Sequence, residues 1–152
     1  MKTIGPTFGN ELEAAGLGGL PISWGSDGDV QGLDRLEPKQ RSGVETVIAA
    51  HDAERIPLDK LKIEASSVIT AVISNTALLN LNAAMNVIGA KESANRTAAE
   101  RNFVATFAEG HNWIQAIRAR VRQLDANGGR TPDGEDRWPK PSQAVRDLAA
   151  EY

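Results

Sequence analysis

In the second half of the chain, Phe103, Phe107, Gly110, Ile114, Ile117, Val121 and Leu124 follow one another at intervals of 4, 3, 4, 3, 4 and 3 residues. This narrow stripe predicts a helix over Glu92 to Asn127, suited to packing nearly parallel or antiparallel to another helix. Gly110 on the stripe costs about 1 kcal/mol of helix propensity, so it marks either a close backbone approach or a bend. From Leu58 to about Gly89 the pattern differs. Leu61, Ile63, Val68, Ile69, Val72, Ile73, Leu78, Leu79, Leu81, Val87 and Ile88 surround the helix on nearly all sides. Such a helix, bent near Ser74 to Thr76, is central in a core or covered by a partner chain. The β-branched run Val68 to Ile73 also fits a buried strand. With only Gly89 to Asn95 between them, the two long elements predict an antiparallel helical hairpin.

The front of the chain is built from local signals. Met1 to Pro6 reads as a loose arm and Phe8 to Ala15 as a short helix. With Gly16 left-handed after it, Leu17 can pack on Leu12 as a Schellman stop requires. Leu20 to Trp24 reads as a short strand with Ile22 and Trp24 on one face, and Pro21 restricts it to an edge or a strand start. Asp27-Gly28 then favours a tight hairpin returning through Asp29 to Leu33. Pro38 suits the first position of a following helix, with Glu37 as a weak N-cap and Gln40 at the third position. Val44, Val47, Ile48 and His51 give that helix an apolar face. At the other end, RTPDGEDRWPKP after Gly128-Gly129 reads as loop, and Ser142 caps a last short helix bearing Val145, Leu148 and Tyr152. The expected fold is mainly α: a long antiparallel helical hairpin with a small N-terminal α-β-hairpin-α module. The expected divisions are residues 1–56, 57–127 and 128–152.

Composition narrows the function classes. With 152 residues, a net charge of −3 and no cysteine, one domain can form a sizeable core without disulfides or thiolate metal sites. The near-balanced charge argues against nucleic acid, which needs a concentrated positive field. No run of about 18 apolar residues predicts a membrane span, and the N-terminal segment lacks the apolar core of a signal peptide. The chain thus reads as soluble and made in the cytoplasm.

Candidate chemistry is thin. Asp27 to Gly32 imitates the start of a calcium loop. However, Pro38 stands where the bidentate Glu belongs, so the carboxylates read as turn caps. His51 and His111 make a poor start to a zinc site; His51 reads as a helix-dipole partner and His111 as a surface or interface residue. Asp133, Glu135 and Asp136 lie on a glycine-containing loop and read as screened by water rather than as acid–base groups. No phosphate loop or nucleophile elbow occurs. Catalytic residues, cofactor and metal are therefore each expected as none. Arg118 and Arg122 share a helix face and could meet phosphate or acidic neighbours. Asn75, Asn82 and Asn86 line one side of the apolar helix, either as a solvated face or as a polar seam that fixes register. Together with Trp24, Val72, Leu79, Trp113 and Trp138, they are the candidate partner contacts, since aromatic residues are favoured anchors.

One resemblance rests on Leu20, Pro21, Ser23, Trp24, Asp27, Gly28, Val30, Gln31, Leu36, Pro38, Gln40, Val44, Val47, Ile48, His51 and Asp52. In that order they resemble small proteins encoded in tail gene clusters of tailed bacteriophages. Those carry a glycine-terminated helix, an "LP-x-SW" segment, a "DG-x-(I/V)-Q" turn and an "LTPEQ…AV…V-x-AHD" helix. Glu37 stands where Thr is usual. The match covers about a third of the chain. The resemblance implies a virion component at the baseplate or tail fibre, made in the host cytoplasm. Such a protein works by contact with other tail or fibre chains, as a homo- or hetero-oligomer, without membrane insertion or nucleic acid. A tail-fibre assembly chaperone is the alternative, and a small DNA-binding regulator the remaining one.

Overall fold

The helix Phe8–Ala14 (α1) ends as its sequence dictates. Gly16 takes φ 71°. The Leu17 N–H reaches the Leu12 carbonyl at 2.8 Å and the Gly16 N–H that of Glu13 at 2.9 Å, the two bonds of a Schellman stop. The chain then forms β1 (Ser23–Trp24) and β2 (Val30–Gln31), antiparallel, with Trp24 opposite Val30. Asp27-Gly28 does not make a two-residue hairpin. It sits in a wider loop closed by the Gly25 N–H on the Asp29 carbonyl at 3.0 Å. A second helix, α2 (Pro38–Ala50), starts with Pro38 at its first position, and the Glu37 N–H donates to Gln40 Oε1 at 3.2 Å.

The structure, a computed structural model, describes residues 2–152 and is mainly helical, with six α-helices and one two-stranded sheet among the described residues. It divides into two compact units. The front unit takes the chain up to Leu58 together with Asp125–Arg130; the rear unit takes Asp59–Leu124 and Thr131–Tyr152. The three-part division expected from sequence is therefore redrawn, and the proline-rich loop and last helix belong to the rear unit.

The front unit's core is Ile4, Phe8, Leu12 and Val44. Met1 lies outside the described residues, but the rest of the expected loose arm is tied down. Ile4 is buried, its N–H meets the Ser26 carbonyl at 3.3 Å, and Lys2 Nζ meets that of Ala49 at 2.5 Å. Gly5 is required there, since a Cβ on it would lie 2.2 Å from the Ala53 carbonyl oxygen.

In the rear unit the expected long helix over 58–89 is two helices, α3 (Leu58–Val72) and α4 (Asn75–Gly89), bent by 65°. The break has a local cause. Ser74 is extended, and its Oγ accepts the Ala77 N–H at 3.0 Å, starting a new helix. Helix through Val72 rules out the strand reading of 68–73.

The fifth helix, α5, spans Ala98–Ala126 rather than beginning at Glu92. Thr97 and Glu100 form a capping box: Glu100 N–H to Thr97 Oγ1 at 3.2 Å, Thr97 N–H to Glu100 Oε2 at 2.9 Å. Arg96 closes the preceding helix by donating to the carbonyls of Ile88 and Gly89, each at 3.2 Å. The buried stripe of α5 is Phe103, Thr106, Gly110, Trp113, Ile117, Val121 and Leu124. Thr106 and Trp113 replace Phe107 and Ile114, which sit half-buried at its edge.

The last helix, α6 (Gln143–Glu151), is capped by Ser142 and buries Val145 and Ala149. The loop before it is a strap pinned to α5. Trp113 Nε1 donates to the Pro139 carbonyl at 2.9 Å, and Arg120 donates to the carbonyls of Arg137 and Asp136 at 3.1 and 2.8 Å. The same Arg120 pairs with Glu135 at 2.6 Å.

The helix α5 runs unbroken through Gly110, and no backbone of another segment approaches it closely. A Cβ there would meet Val145 Cγ1 at 3.5 Å, an ordinary contact. Gly110→Ala should therefore stabilise the protein by about 1 kcal/mol, raising the calorimetric midpoint by roughly 2–4 °C. A lowered midpoint would refute this account of the glycine.

Candidate contact surface

His51, expected to serve the α2 dipole, instead turns into the front core and is 3% exposed. Its Nε2 accepts the Gly5 N–H at 2.8 Å and its Nδ1 lies 2.8 Å from Glu11 Oε2. A backbone N–H can only donate, so Nε2 carries no proton and Nδ1–H donates to the Glu11 carboxylate. The imidazole is thus a fixed tie between the N-terminal arm, α1 and α2. Its accepting nitrogen, the one a general base would use, is occupied.

Beside it, Arg130 grips Asp52 with two bonds of 2.7 and 2.9 Å. The Arg130 guanidinium holds the Asp52 carboxyl below the usual carboxylate range. Asp27 acts as a turn cap, its Oδ1 accepting the Asp29 N–H, whereas Asp29 Oδ2 accepts from the Gln31 side-chain amide, both at 3.2 Å. Among the described residues no group of three His, Asp or Glu side chains is placed to hold a metal.

The expected contact residues fall in four settings. On α4, Asn75, Leu79, Asn82 and Asn86 form one outward stripe, opposite buried Ala77 and Leu81. Leu79 is 71% exposed. Val72, at the end of α3, is half-buried, as is Trp138, whose ring lies 5.8 Å from the Arg137 guanidinium carbon. Trp24 belongs to the front unit, edge-on to Phe8 at 5.1 Å and still 41% exposed. Trp113 is a correction: it is core, 6% exposed beneath the strap, because its indole N–H finds a carbonyl there.

Ile63 on α3 and Val87 on α4 are also exposed, at 66% and 68%, and were not singled out as contacts from sequence. For Val87 a usable signal existed: residues 65–90 contain no Asp, Glu, Lys or Arg. Scarcity of charge marks the centre of protein interfaces. His111 is exposed. Of the expected acidic cluster on the loop, Glu135 pairs with Arg120 and Asp136 with Lys140 at 2.9 Å, and Asp133, Glu135 and Asp136 all lie at exposed positions.

Two grooves lie in the rear unit. The smaller, about 220 Å³, lies among α4, α5 and α6, with Arg118 and His111 among its lining residues. The larger, about 510 Å³, runs beside α6 and carries Glu100, Asp147 and Glu151. The Lys91 ammonium first, and the Thr97 N–H after it, hold the Glu100 carboxyl below its ordinary range. No single helix among the described residues is long and apolar enough to cross a membrane. No protein-family model matches the chain, and no curated protein matches it.

Two predictions follow from the ties around His51. Nitrogen-detected NMR should show His51 as the Nδ1–H tautomer, and His51→Ala should cost about 1–3 kcal/mol in urea denaturation by orphaning the Gly5 N–H. A protonated Nε2 at neutral pH contradicts this arrangement. For Asp52, the depressed folded pKa means that the Arg130 pairing stabilises above the unfolded carboxylate value and is lost as pH falls through the folded one. Carbon-detected titration should place the Asp52 midpoint below its ordinary value of 3.8, and Arg130→Ala should raise it. An unmoved midpoint would show that the pair does not persist in solution.

Proposed function

We propose that the chain is a structural or adaptor protein of a bacteriophage tail, at the baseplate or tail fibre, acting by contact with other tail or fibre proteins. The resemblance of the front third supplies the setting. Its residues serve folding: Pro38 and Gln40 start α2, Val44 fills the core and His51 ties three segments together. They therefore describe a scaffold, and the contact surface is sought elsewhere in the chain.

The observation that carries the contact role is the exposure of Ile63, Leu79 and Val87, the latter two within the charge-free stretch 65–90. Covering a Leu or Val side chain contributes about 1.5–3 kcal/mol, so a partner chain gains by binding here. Apolar patches rimmed by polar side chains commonly serve this purpose. The Asn75, Asn82 and Asn86 amides flank Leu79 and can both donate and accept, fixing the register of whatever docks.

Purified virions should contain the chain in stoichiometric amount by mass spectrometry. The double variant Leu79→Glu, Val87→Glu should keep its helical circular dichroism yet lose incorporation by about a hundredfold, the equivalent of burying two such side chains. Absence of the chain from particles that need it for fibre formation would replace this reading with the assembly chaperone. Unchanged incorporation of the double variant would remove this surface from consideration.

A further inference from the structure

We infer that the groove among α4, α5 and α6 docks a partner helix through one apolar anchor side chain with a carboxylate within a turn of it. The inference rests on the contact role proposed above and specifies the partner's chemistry.

The walls are apolar. Leu78 and Leu81 come from α4, Phe107 and Ile114 from α5, and Leu148 from α6. Gly110 lies among them and, having no side chain, leaves room. Phe107 and Ile114 belong to the stripe that the sequence predicts as core, and here they are only half covered. That leaves hydrophobic wall open to a ligand.

Size decides what kind of occupant fits. At about 220 Å³ the groove is smaller than the roughly 300–1,000 Å³ usual for small-molecule sites. It exceeds the roughly 150 Å³ that accepts a benzene ring. One large apolar side chain fills it, which is the anchor mode of a helix laid in a groove.

Charge decides what accompanies the anchor. Arg118 lines the groove and, among the described residues, its side chain has no hydrogen-bond or ion-pair partner. Arg120, two residues on, has four carbonyl or carboxylate partners. His111 adds a second group able to donate, and no carboxylate lines the groove. The neighbouring groove has the opposite character, with Glu100, Asp147 and Glu151 and no cation in its lining. An anchor followed by a carboxylate is thus drawn to one groove and repelled by the other, which gives register as well as affinity.

The test uses the purified full chain and amide NMR titration. Two capped alanine-rich helical peptides of about 15 residues carry one Phe each, with either Glu or Lys one turn away. The Glu peptide should shift the amides of Gly110 and Ile114 and bind roughly fivefold or more tighter than the Lys peptide. That is the combined effect of one attractive and one repulsive exposed charge. Arg118→Glu, at an exposed position, should invert the order, and Arg118→Ala should abolish it. Absence of groove shifts, or a Glu preference that survives Arg118→Glu, overturns the proposal. So does 3-phenylpropionate binding as tightly as the peptide, which would mark a small-molecule site. The assay contains no virion, so its failure is separate from the failure of the tail reading.

Discussion

A helix of 29 residues is about 44 Å long at 1.5 Å per residue, and α5 offers its neighbours a single buried stripe. The rest of the rear unit is seated by what that stripe can hold. Val145 of α6 and Ile73 at the α3–α4 break meet above Gly110. Trp113 and Arg120 take the strap by its carbonyls, so a segment rich in proline and glycine is held without secondary structure of its own. Arg137 then carries the strap to α3, donating to Glu64 at 2.9 and 2.8 Å. Once these elements are placed, Phe107 and Ile114 are left at the margin and the outer side of α4 is uncovered. The exposed apolar surface is a consequence of that competition for one stripe.

The front unit packs its short elements on a small apolar core, Ile4, Phe8, Leu12 and Val44. Its strands have two residues each, and a ribbon of that size does not stand alone. Specific polar ties add to that core. The neutral His51 satisfies a backbone N–H and a carboxylate from two other segments, and Thr7 adds a 2.7 Å bond to the same Glu11. A buried imidazole with both nitrogens matched incurs no orphan penalty, and it fixes the arm where apolar contact alone would let it slide.

What could be read in the sequence sorts by distance along the chain. The Gly16 stop, the Pro38 start and the Ser142 cap depend on residues within four or five positions, and each forms as its local chemistry requires. The Thr97–Glu100 box is equally local. The predicted start at Glu92 lies five residues ahead of Thr97, because the 4-3 stripe begins only at Phe103 and does not place the helix start. The bend at Ser74 was legible as a place, whereas its 65° angle depends on packing. His51 to Gly5 spans 46 positions and Arg137 to Glu64 spans 73. No local pattern announces either pair. Trp113 illustrates the same limit: its hydropathy fits core and interface equally, and the Pro139 carbonyl decides. Of the contact surface, the asparagine stripe was visible at helical spacing, while the groove beside it exists only once three helices meet.

The proposed contact surface is made of helix rather than loop, and this bears on how it would bind. Leu79, Asn82 and Asn86 are carried by a helix capped at its start by Ser74 and at its end by Arg96, so little order remains to be imposed when a partner arrives. Association is then spared part of the entropy cost that a flexible patch would incur. Neutral side chains set no long-range preference for a partner, so on α4 itself discrimination has to come from shape and from amide pairing. The grooves supply what α4 lacks, one bearing Arg118 and the other three carboxylates. On the proposed reading, α4 can accept apolar surface generally, while two grooves of different charge, each lined in part by α4, set which way round a partner helix lies.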